Sequence, residues 1–229
     1  MISDILQFLP PLIKALPLTL MLTAVAGTLG LFFGIILALA RISGYRILVW
    51  PSFTLGLVMR GTPLLVQLYL VYYGLGELLP GTWVRHSWLW PYLRNAIWYA
   101  ILVLTISQAC YNAEVLRGAI LAVPKGQIEA ARAVGMSPGR IFRRITLPQA
   151  FHAALPVLAS DVIILLKATS LASTVTIMEV LGTARALQRE TMMILEPLIA
   201  AAIIYFVVVL ILTQLTSLLE RKATSYRAR

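Results

Sequence analysis

Two ionisable side chains, Asp161 and Lys167, lie within the apolar segment SDVIILLKATSL and are its best candidates for chemistry. A charged side chain at the centre of a membrane costs roughly 3 kcal/mol or more, so such residues usually have a function. An acid and a base can bind a zwitterion, relay ions or pair with each other, and a lysine can also extend toward the membrane surface. On a straight helix, residues six apart point about 120° away from each other. Either the helix is interrupted near Ala168 to Ser170, or the two residues have different partners.

Three amide side chains, Gln67, Gln108 and Asn112, also lie in apolar segments and are candidates to line the same path. Amides in membrane segments often join neighbouring helices by hydrogen bonds instead, so both roles stay open. Glu114 is expected near the end of its apolar segment, where it would support the helix or an interface.

Catalytic and metal-binding residue sets are missing from the sequence. Cys110 is the single cysteine, and His86 and His152 are the two histidines, which excludes a disulfide framework and a Cys/His metal site. The sequence contains no GxxxxGK[ST] phosphate loop and no convincing Ser/His/Asp or Cys/His arrangement. We therefore expect no enzymatic activity in this chain.

The overall composition indicates that lipid is the solvent for much of the surface. Of the 229 residues, 60% are hydrophobic and 12% are charged, whereas soluble domains carry roughly 25% charged residues. The mean hydropathy of +0.88 exceeds what one water-soluble core of this size can hide. These values exclude a soluble globular domain and a disordered chain.

Long apolar stretches with few charged residues predict five membrane-spanning helices within a single domain, residues 1–229. The expected spans are about 15–40, 50–76, 95–116, 149–173 and 196–219. Five spans place the termini on opposite sides, and the connections on one side carry 12 Lys and Arg against 5 on the other. By the positive-inside rule the richer side is cytoplasmic and the N-terminus is outside. This asymmetry explains the net charge of +10 without nucleic acid as a partner.

The longest cytoplasmic connection, about residues 120–148, is patterned for structure. Lys125 to Val134 are mostly helix formers, and Gly135 stands where a left-handed cap would end that helix. Ser137 is expected to cap, and Pro138 to open, a second short helix over Gly139 to Ile145. Pro148 is then expected to start the fourth span.

Physical arguments alone do not decide between two hypotheses about this connection. Two short helices with the small residues Ala130 and Ala131 form a compact knob that fits a groove of another protein. The same pattern is compatible with an amphipathic hairpin on lipid headgroups, with its basic side chains obeying the positive-inside rule. These side chains are Arg140, Arg143 and Arg144.

The motif in this connection resembles the EAA loop of the membrane subunits of ATP-binding cassette (ABC) importers. Glu129-Ala130-Ala131, Gly135 and Ile145-Thr146-Leu147-Pro148 occur at that family's spacing. Tyr111, Glu114, Arg117-Gly118 and the segment Arg60-Gly61-Thr62-Pro63-Leu64 are similar to its polar amino acid branch. The resemblance covers essentially the whole chain.

The resemblance implies an all-α integral membrane protein with the MetI-like type I importer fold, five transmembrane helices and cytoplasmic coupling helices. It implies that the chain forms half of a translocation pore in the bacterial inner membrane and transmits closure of an ATPase to alternating access. The coupling residues would be Glu129, Ala130, Ala131, Arg132, Gly135 and Met136. The implied partners are a cytoplasmic ATP-binding subunit dimer, a second permease subunit that is a copy or a paralogue, a periplasmic or lipid-anchored substrate-binding protein and an amino acid. ATP and magnesium would bind to the partner ATPase, and no cofactor is expected in this chain.

The amino acid branch implies a substrate site formed by the acid and the base of the fourth segment and by nearby polar groups. Its residues would be Asp161, Lys167, Thr169, Ser170 and Gln67. Ala168 stands where many relatives have Asp, and Ala184-Arg185-Ala186 looks more like the subunits for histidine, arginine, lysine or opines. The alternatives are a self-contained secondary carrier or channel, with Asp161 and Lys167 as an ion relay, and a structural membrane anchor.

Overall fold

The computed structural model describes residues 2–78 and 85–225. Within these two ranges the regular elements are helices. In chain order they are α1 (Ile2–Leu6), α2 (Leu9–Ile42), α3 (Arg46–Gly61), α4 (Leu64–Leu78), α5 (Trp90–Leu93), α6 (Ala96–Leu121), α7 (Lys125–Ala133), α8 (Pro138–Ile141), α9 (Leu147–Ala168), α10 (Val180–Thr191) and α11 (Leu195–Ser225). A π-helical turn, Phe142–Thr146, joins α8 to α9, and a 3₁₀ segment, Thr169–Val175, follows α9.

Four helical segments of the described residues are long and apolar enough to cross a membrane. They are Asp4–Ile42, Ala96–Leu121, Pro138–Val175 and Leu195–Leu218. A fifth is obtained if the bent pair of α3 and α4 counts as one span. Large apolar side chains are widely exposed on these helices, as lipid-facing surfaces require.

The segment predicted as the second span, about 50–76, is not one continuous helix, and its crossing of the membrane as one span stays a prediction. The helices Arg46–Gly61 and Leu64–Leu75 meet at an angle of 107°. The cause is Pro63, because the residue before a proline is driven out of the α-helical region. Thr62 has extended backbone angles, with φ −116° and ψ 146°, and therefore ends α3.

The predicted start of the fourth span at Pro148, with a separate short helix before it, is wrong. Helical structure is continuous from Pro138 to Val175. The turn before Pro148 is widened, and the N–H of Leu147 bonds to the carbonyl of Phe142. This widening lies next to a proline that has no N–H to complete an α-helical turn. Pro138 opens the helix as predicted, but the Ser137 side chain makes no capping hydrogen bond.

The interior of the bundle is built on the close contact of α2 with α6, along much of their lengths. Gly30 and Gly34 of α2 face α6 so closely that an added Cβ would lie 2.7 Å from the Cβ atoms of Gln108 and Asn112. Two small residues one turn apart allow helices to approach in this way. The contact fixes the position of α6, which lines the site described below.

Candidate functional site

A cavity of about 420 Å³ lies between α3, α4, α6 and α9. This volume falls in the usual range for small-molecule sites, about 300–1,000 Å³. The polar residues that line it are Thr62, Gln67, Ser107, Gln108, Tyr111 and Asp161. The bend at Thr62–Pro63 creates the site, because it turns α4 away from the line of α3 and brings both helices to the cavity wall.

The amide of Gln67 holds the bend and leaves one acceptor unused. Its Nε2 donates to the carbonyl oxygens of Met59, at 2.7 Å, and Thr62, at 3.0 Å, and to the Thr62 hydroxyl at 3.0 Å. Gln67 is buried, and its Oε1 has no hydrogen-bond partner among the described residues. A buried acceptor without a donor is costly, so this oxygen favours a ligand that donates a hydrogen bond.

Asp161 is the acidic residue of this cavity wall. It is half-buried, and the described part of the chain gives its carboxylate no ion-pair partner. In contrast, the Gln108 amide is already engaged, since its Nε2 donates to Asn112 Oδ1 at 3.1 Å. A carboxylate and an unused amide oxygen in one cavity together match a cationic, donor-rich group.

The structure brings two of the five predicted substrate residues, Asp161 and Gln67, to this cavity. Lys167 is exposed and does not line it. The hydroxyl of Thr169 is buried and donates to the carbonyl of Leu166 at 2.7 Å, and that of Ser170 donates to the carbonyl of Lys167 at 2.6 Å. A substrate role for these three residues stays a prediction.

The backbone between Asp161 and Lys167 determines whether the two side chains can meet. Helix α9 remains α-helical through Ala168 and changes to 3₁₀ geometry only at Thr169. Asp161 and Lys167 therefore both lie on regular helix and point in different directions. Of the two alternatives, the structure supports different partners for the two side chains.

A cluster of three arginines and one carboxylate lies further along α6. Arg41 Nη1 of α2 is 2.7 Å from Glu114 Oε2, Arg60 Nη2 of α3 is 3.4 Å from the same oxygen, and Arg117 binds Oε1. Arg41 is almost fully buried and also donates to the carbonyl of Ser52 at 2.8 Å. Sequence analysis allowed Glu114 an interface role, and the structure shows that interface. It missed Arg41 as its partner, because no local spacing connects residues 73 positions apart.

The loop that contains the EAA motif ends α7 in a Schellman motif. Gly135 has a φ of +80°, and its N–H donates to the carbonyl of Arg132 at 2.9 Å. The N–H of Met136 donates to the carbonyl of Ala131 at 3.1 Å. This confirms the predicted left-handed cap. No atom lies within 4 Å of an added Cβ at Gly135, so its conformation and not crowding requires glycine.

The predicted coupling residues divide between exposed and inward-facing positions. Glu129, Ala130, Arg132 and Gly135 are exposed, Met136 is half-buried, and Ala131 is buried. Val134, next to the glycine cap, is 78% exposed. Sequence analysis did not select Val134, although it lies between the α7 helix formers and the glycine cap.

Comparison with known proteins identifies the family. Residues 30–225 match the family model of the binding-protein-dependent transport system inner membrane component. The chain belongs to this family. Its all-helical architecture is the MetI-like fold of type I ABC importers.

Individual members of this transport family are similar to the chain over almost all of its length. The octopine transport system permease protein OccM of Rhizobium radiobacter is 44% identical over 209 residues, which are 91% of this chain and 84% of the relative. The arginine transport system permease protein ArtQ of Bacillus subtilis is 36% identical, over 95% of this chain and 94% of the relative. A crystal structure of an amino acid ABC transporter with histidines superposes with a TM-score of 0.84 and 34% identity, and covers 95% of this chain and 96% of that chain.

One buried acid of this transport component escaped the sequence analysis. Glu179 is fully buried and caps α10, where its Oε1 accepts from the N–H of Gly182 at 2.8 Å. Its Oε2 accepts from the hydroxyls of Thr19, at 3.3 Å, and Tyr205. The cluster joins α2, α10 and α11. The available signal was an acid three residues before a glycine at the start of an amphipathic helix.

Proposed function

We propose that this chain is the permease subunit of an ABC importer for a basic amino acid or an opine. The observation that carries the proposal is the cavity lined by Asp161, whose carboxylate has no ion-pair partner among the described residues, and by Gln67, whose buried Oε1 has no hydrogen-bond donor among them. A guanidinium or ammonium group supplies several donors and the opposite charge. The octopine and arginine permeases named above are similar over nearly the whole chain, which supports this substrate class.

In this proposal the chain is one half of a pore in the bacterial inner membrane, with its N-terminus outside. A second permease subunit, identical or paralogous, completes the pore, and a binding protein delivers the amino acid from the outer side. Two cytoplasmic ATP-binding subunits hold ATP and magnesium, so this chain carries no cofactor and catalyses no reaction. The charge asymmetry of the connections and the family membership support this arrangement.

Coupling in this scheme uses one continuous helix. Gln108 and Tyr111 of α6 line the cavity, Glu114 lies about one turn after Tyr111, and Arg117 lies about one turn after Glu114. Helix α7 begins four residues after α6 ends. The ATPase would bind the exposed face of the EAA loop, and closure of the ATPase dimer would move α6. The Glu114 cluster would pass this movement to α2 and α3, because Arg41 and Arg60 belong to those helices.

The proposal is tested by arginine uptake into proteoliposomes that contain the assembled transporter and its binding protein. Asp161→Asn keeps the size of the side chain and removes the charge, so we expect ATP-driven uptake to fall at least about tenfold. Asp161→Glu keeps the charge and is the matched control, with a smaller loss expected. Wild-type uptake by Asp161→Asn would contradict the role of this carboxylate.

The alternative of a self-contained carrier makes a different prediction for the same vesicles. A carrier that uses Asp161 and Lys167 as an ion relay would stop when the proton gradient collapses at constant ATP. An ATP-driven importer would continue. The relatives give no support to the carrier, since each is named as a transport system permease or belongs to an ABC transporter.

A further inference from the structure

A second cavity, of about 310 Å³, lies between α4, the 3₁₀ segment and α10. Its polar lining comprises Tyr69, Ser173, Thr174, Thr176, Arg185 and Arg189, and the described lining includes no acidic residue. The first cavity takes its charge from a carboxylate, and this one takes its charge from two guanidinium groups. The two cavities share helix α4, which contributes Gln67 to one and Tyr69 to the other.

The two arginines lack a counter-ion within the described residues. Arg185 and Arg189 are both exposed and stand one turn apart on α10, where like charges repel each other. Neither forms an ion pair with Glu179, Glu190 or another described carboxylate. Glu179 is unable to serve, because it is buried and its oxygens already accept from Gly182, Thr19 and Tyr205. The positive charge of this cavity is therefore not neutralised by the protein around it.

The remaining features of the lining also suit an anion. The Ser173 hydroxyl is buried and has no hydrogen-bond partner in the described part of the chain, so it is free to donate. Thr176, at the edge of the cavity, has a φ of +66°, which is rare for a β-branched residue. Strained backbone of this kind is found mainly where function demands a particular loop shape.

We propose that this cavity binds the carboxylate of the transported amino acid, with Arg185 and Arg189 as the charged partners. The inference rests on the proposed function for the presence of an amino acid substrate. Arginine side chains bind carboxylates through paired hydrogen bonds, and the volume of the cavity, about 310 Å³, lies at the lower end of the range for small-molecule sites. Arg185 and Arg189 thus take the role of the base that sequence analysis gave to Lys167.

Arginine and agmatine provide the test, because both carry a guanidinium group and only arginine carries a carboxylate. The sample is the permease assembled with its ATP-binding subunits in lipid nanodiscs, without the binding protein. Labelled arginine is titrated into it, and unlabelled arginine and agmatine are then added as competitors. We expect the wild type to prefer arginine by about tenfold or more. In the double variant Arg185→Gln/Arg189→Gln, arginine binding should weaken by about this factor, while agmatine binding stays unchanged or improves.

Two controls separate this effect from damage to the fold. Arg185→Lys/Arg189→Lys keeps both charges and should retain part of the preference. Glu190→Gln changes the charge of an exposed residue of α10 outside the cavity lining and should retain all of it. Elution in gel filtration should match the wild type in every variant, and basal ATPase activity should match it in Glu190→Gln.

Equal losses of arginine and agmatine binding in the double variant, or an unchanged preference, would overturn the inference. A wild type that does not discriminate between the two compounds would overturn it as well. Failure of the proposed function has a different signature. Glutamine would then bind with the same affinity as arginine, and Asp161→Asn would bind arginine with wild-type affinity. The ratio of the arginine and agmatine affinities would still decide the role of Arg185 and Arg189.

Discussion

The EAA loop and the Asp161 cavity are built in opposite ways. The loop takes its shape from backbone hydrogen bonds between near neighbours, such as those that close the cap at Gly135. The cavity takes its shape from side chains of α3, α4, α6 and α9, which are distant in sequence. The loop should therefore tolerate changes of exposed side chains but not of backbone conformation. The cavity should tolerate few changes of the buried side chains that join its helices.

The largest effect is expected at Gly56, which lies against the buried Arg41 of the Glu114 cluster. An added Cβ would be 1.9 Å from Arg41 Nη2, so Gly56→Ala must displace the guanidinium from Glu114 and Ser52. Because the Glu114 side chain is 32% exposed, displacing this part-buried ion pair costs about 2–3 kcal/mol of unfolding free energy, at or below the low end of the range for a fully buried pair. Gly61→Ala is the matched control, because no atom lies within 4 Å of its added Cβ. Thermal unfolding of the purified subunit complex measures the stability of both variants. Equal stabilities of Gly56→Ala and Gly61→Ala would show that the cluster does not hold α2 and α3 to α6.

A smaller loss is expected when the bend between α3 and α4 loses its side-chain donor. Gln67→Leu leaves the carbonyls of Met59 and Thr62 without the amide, at a cost of about 2 kcal/mol for the lost bonds. Gln214→Leu makes the same change at an exposed position of α11 and should be nearly neutral. The two variants are compared by denaturant or thermal unfolding in detergent. Similar values for both would mean that the proline alone maintains the bend.

The loop should respond to a change of backbone preference even where space is free. Gly135→Ala forces a residue with a Cβ into the left-handed region, which costs about 1 kcal/mol. We expect ATP-driven uptake to fall more than ATP hydrolysis, because the docking surface loses its shape while the ATPase remains intact. Gly139→Ala lies in the next helix of the same loop and has no atom within 4 Å of its Cβ. A matching loss in Gly139→Ala would contradict the importance of the cap.

The smallest effect is expected for an exposed side chain of the loop. Val134→Thr keeps the shape of the residue and makes it polar, and an exposed substitution of this kind changes unfolding free energy by less than about 0.5 kcal/mol. Because Val134 is 78% exposed, the unfolding free energy of the variant should stay at the wild-type value. Reduced affinity for the ATP-binding subunits, measured by co-purification, would show that this residue contacts the partner. A marked loss of stability would contradict the claim that the loop depends mainly on its backbone.

Local features of the chain were predicted well because their causes lie within a few residues. Gly135 follows helix formers, and Pro138 opens the next helix as expected. The bend at Thr62 was missed although Pro63 was visible, because the apolar run from about 50 to 76 was interpreted by length alone. Hydropathy reports that a segment is buried in lipid, and it does not report whether the segment is straight.

The candidate site was predicted only in part. Asp161 and Gln67 were both selected for their polarity in apolar segments, yet only the bend at Pro63 and the packing of α9 bring them to one cavity. Arg41 gave no comparable signal, because its partners lie on other helices. Glu179 had a local capping signal, but its contacts with Thr19 and Tyr205 depend on other helices.

The sequence by itself determined that this protein is a helical membrane component with an EAA loop, because composition, charge asymmetry and a short motif are local properties. The tertiary structure alone decided which charged groups meet. It placed Asp161 and Gln67 in the wall of one cavity, left Lys167 exposed and outside that wall, and set Arg185 and Arg189 in the wall of a second cavity. The physical reason is that helix direction and packing, set at positions such as Pro63 and Gly30, determine which faces of distant segments approach each other.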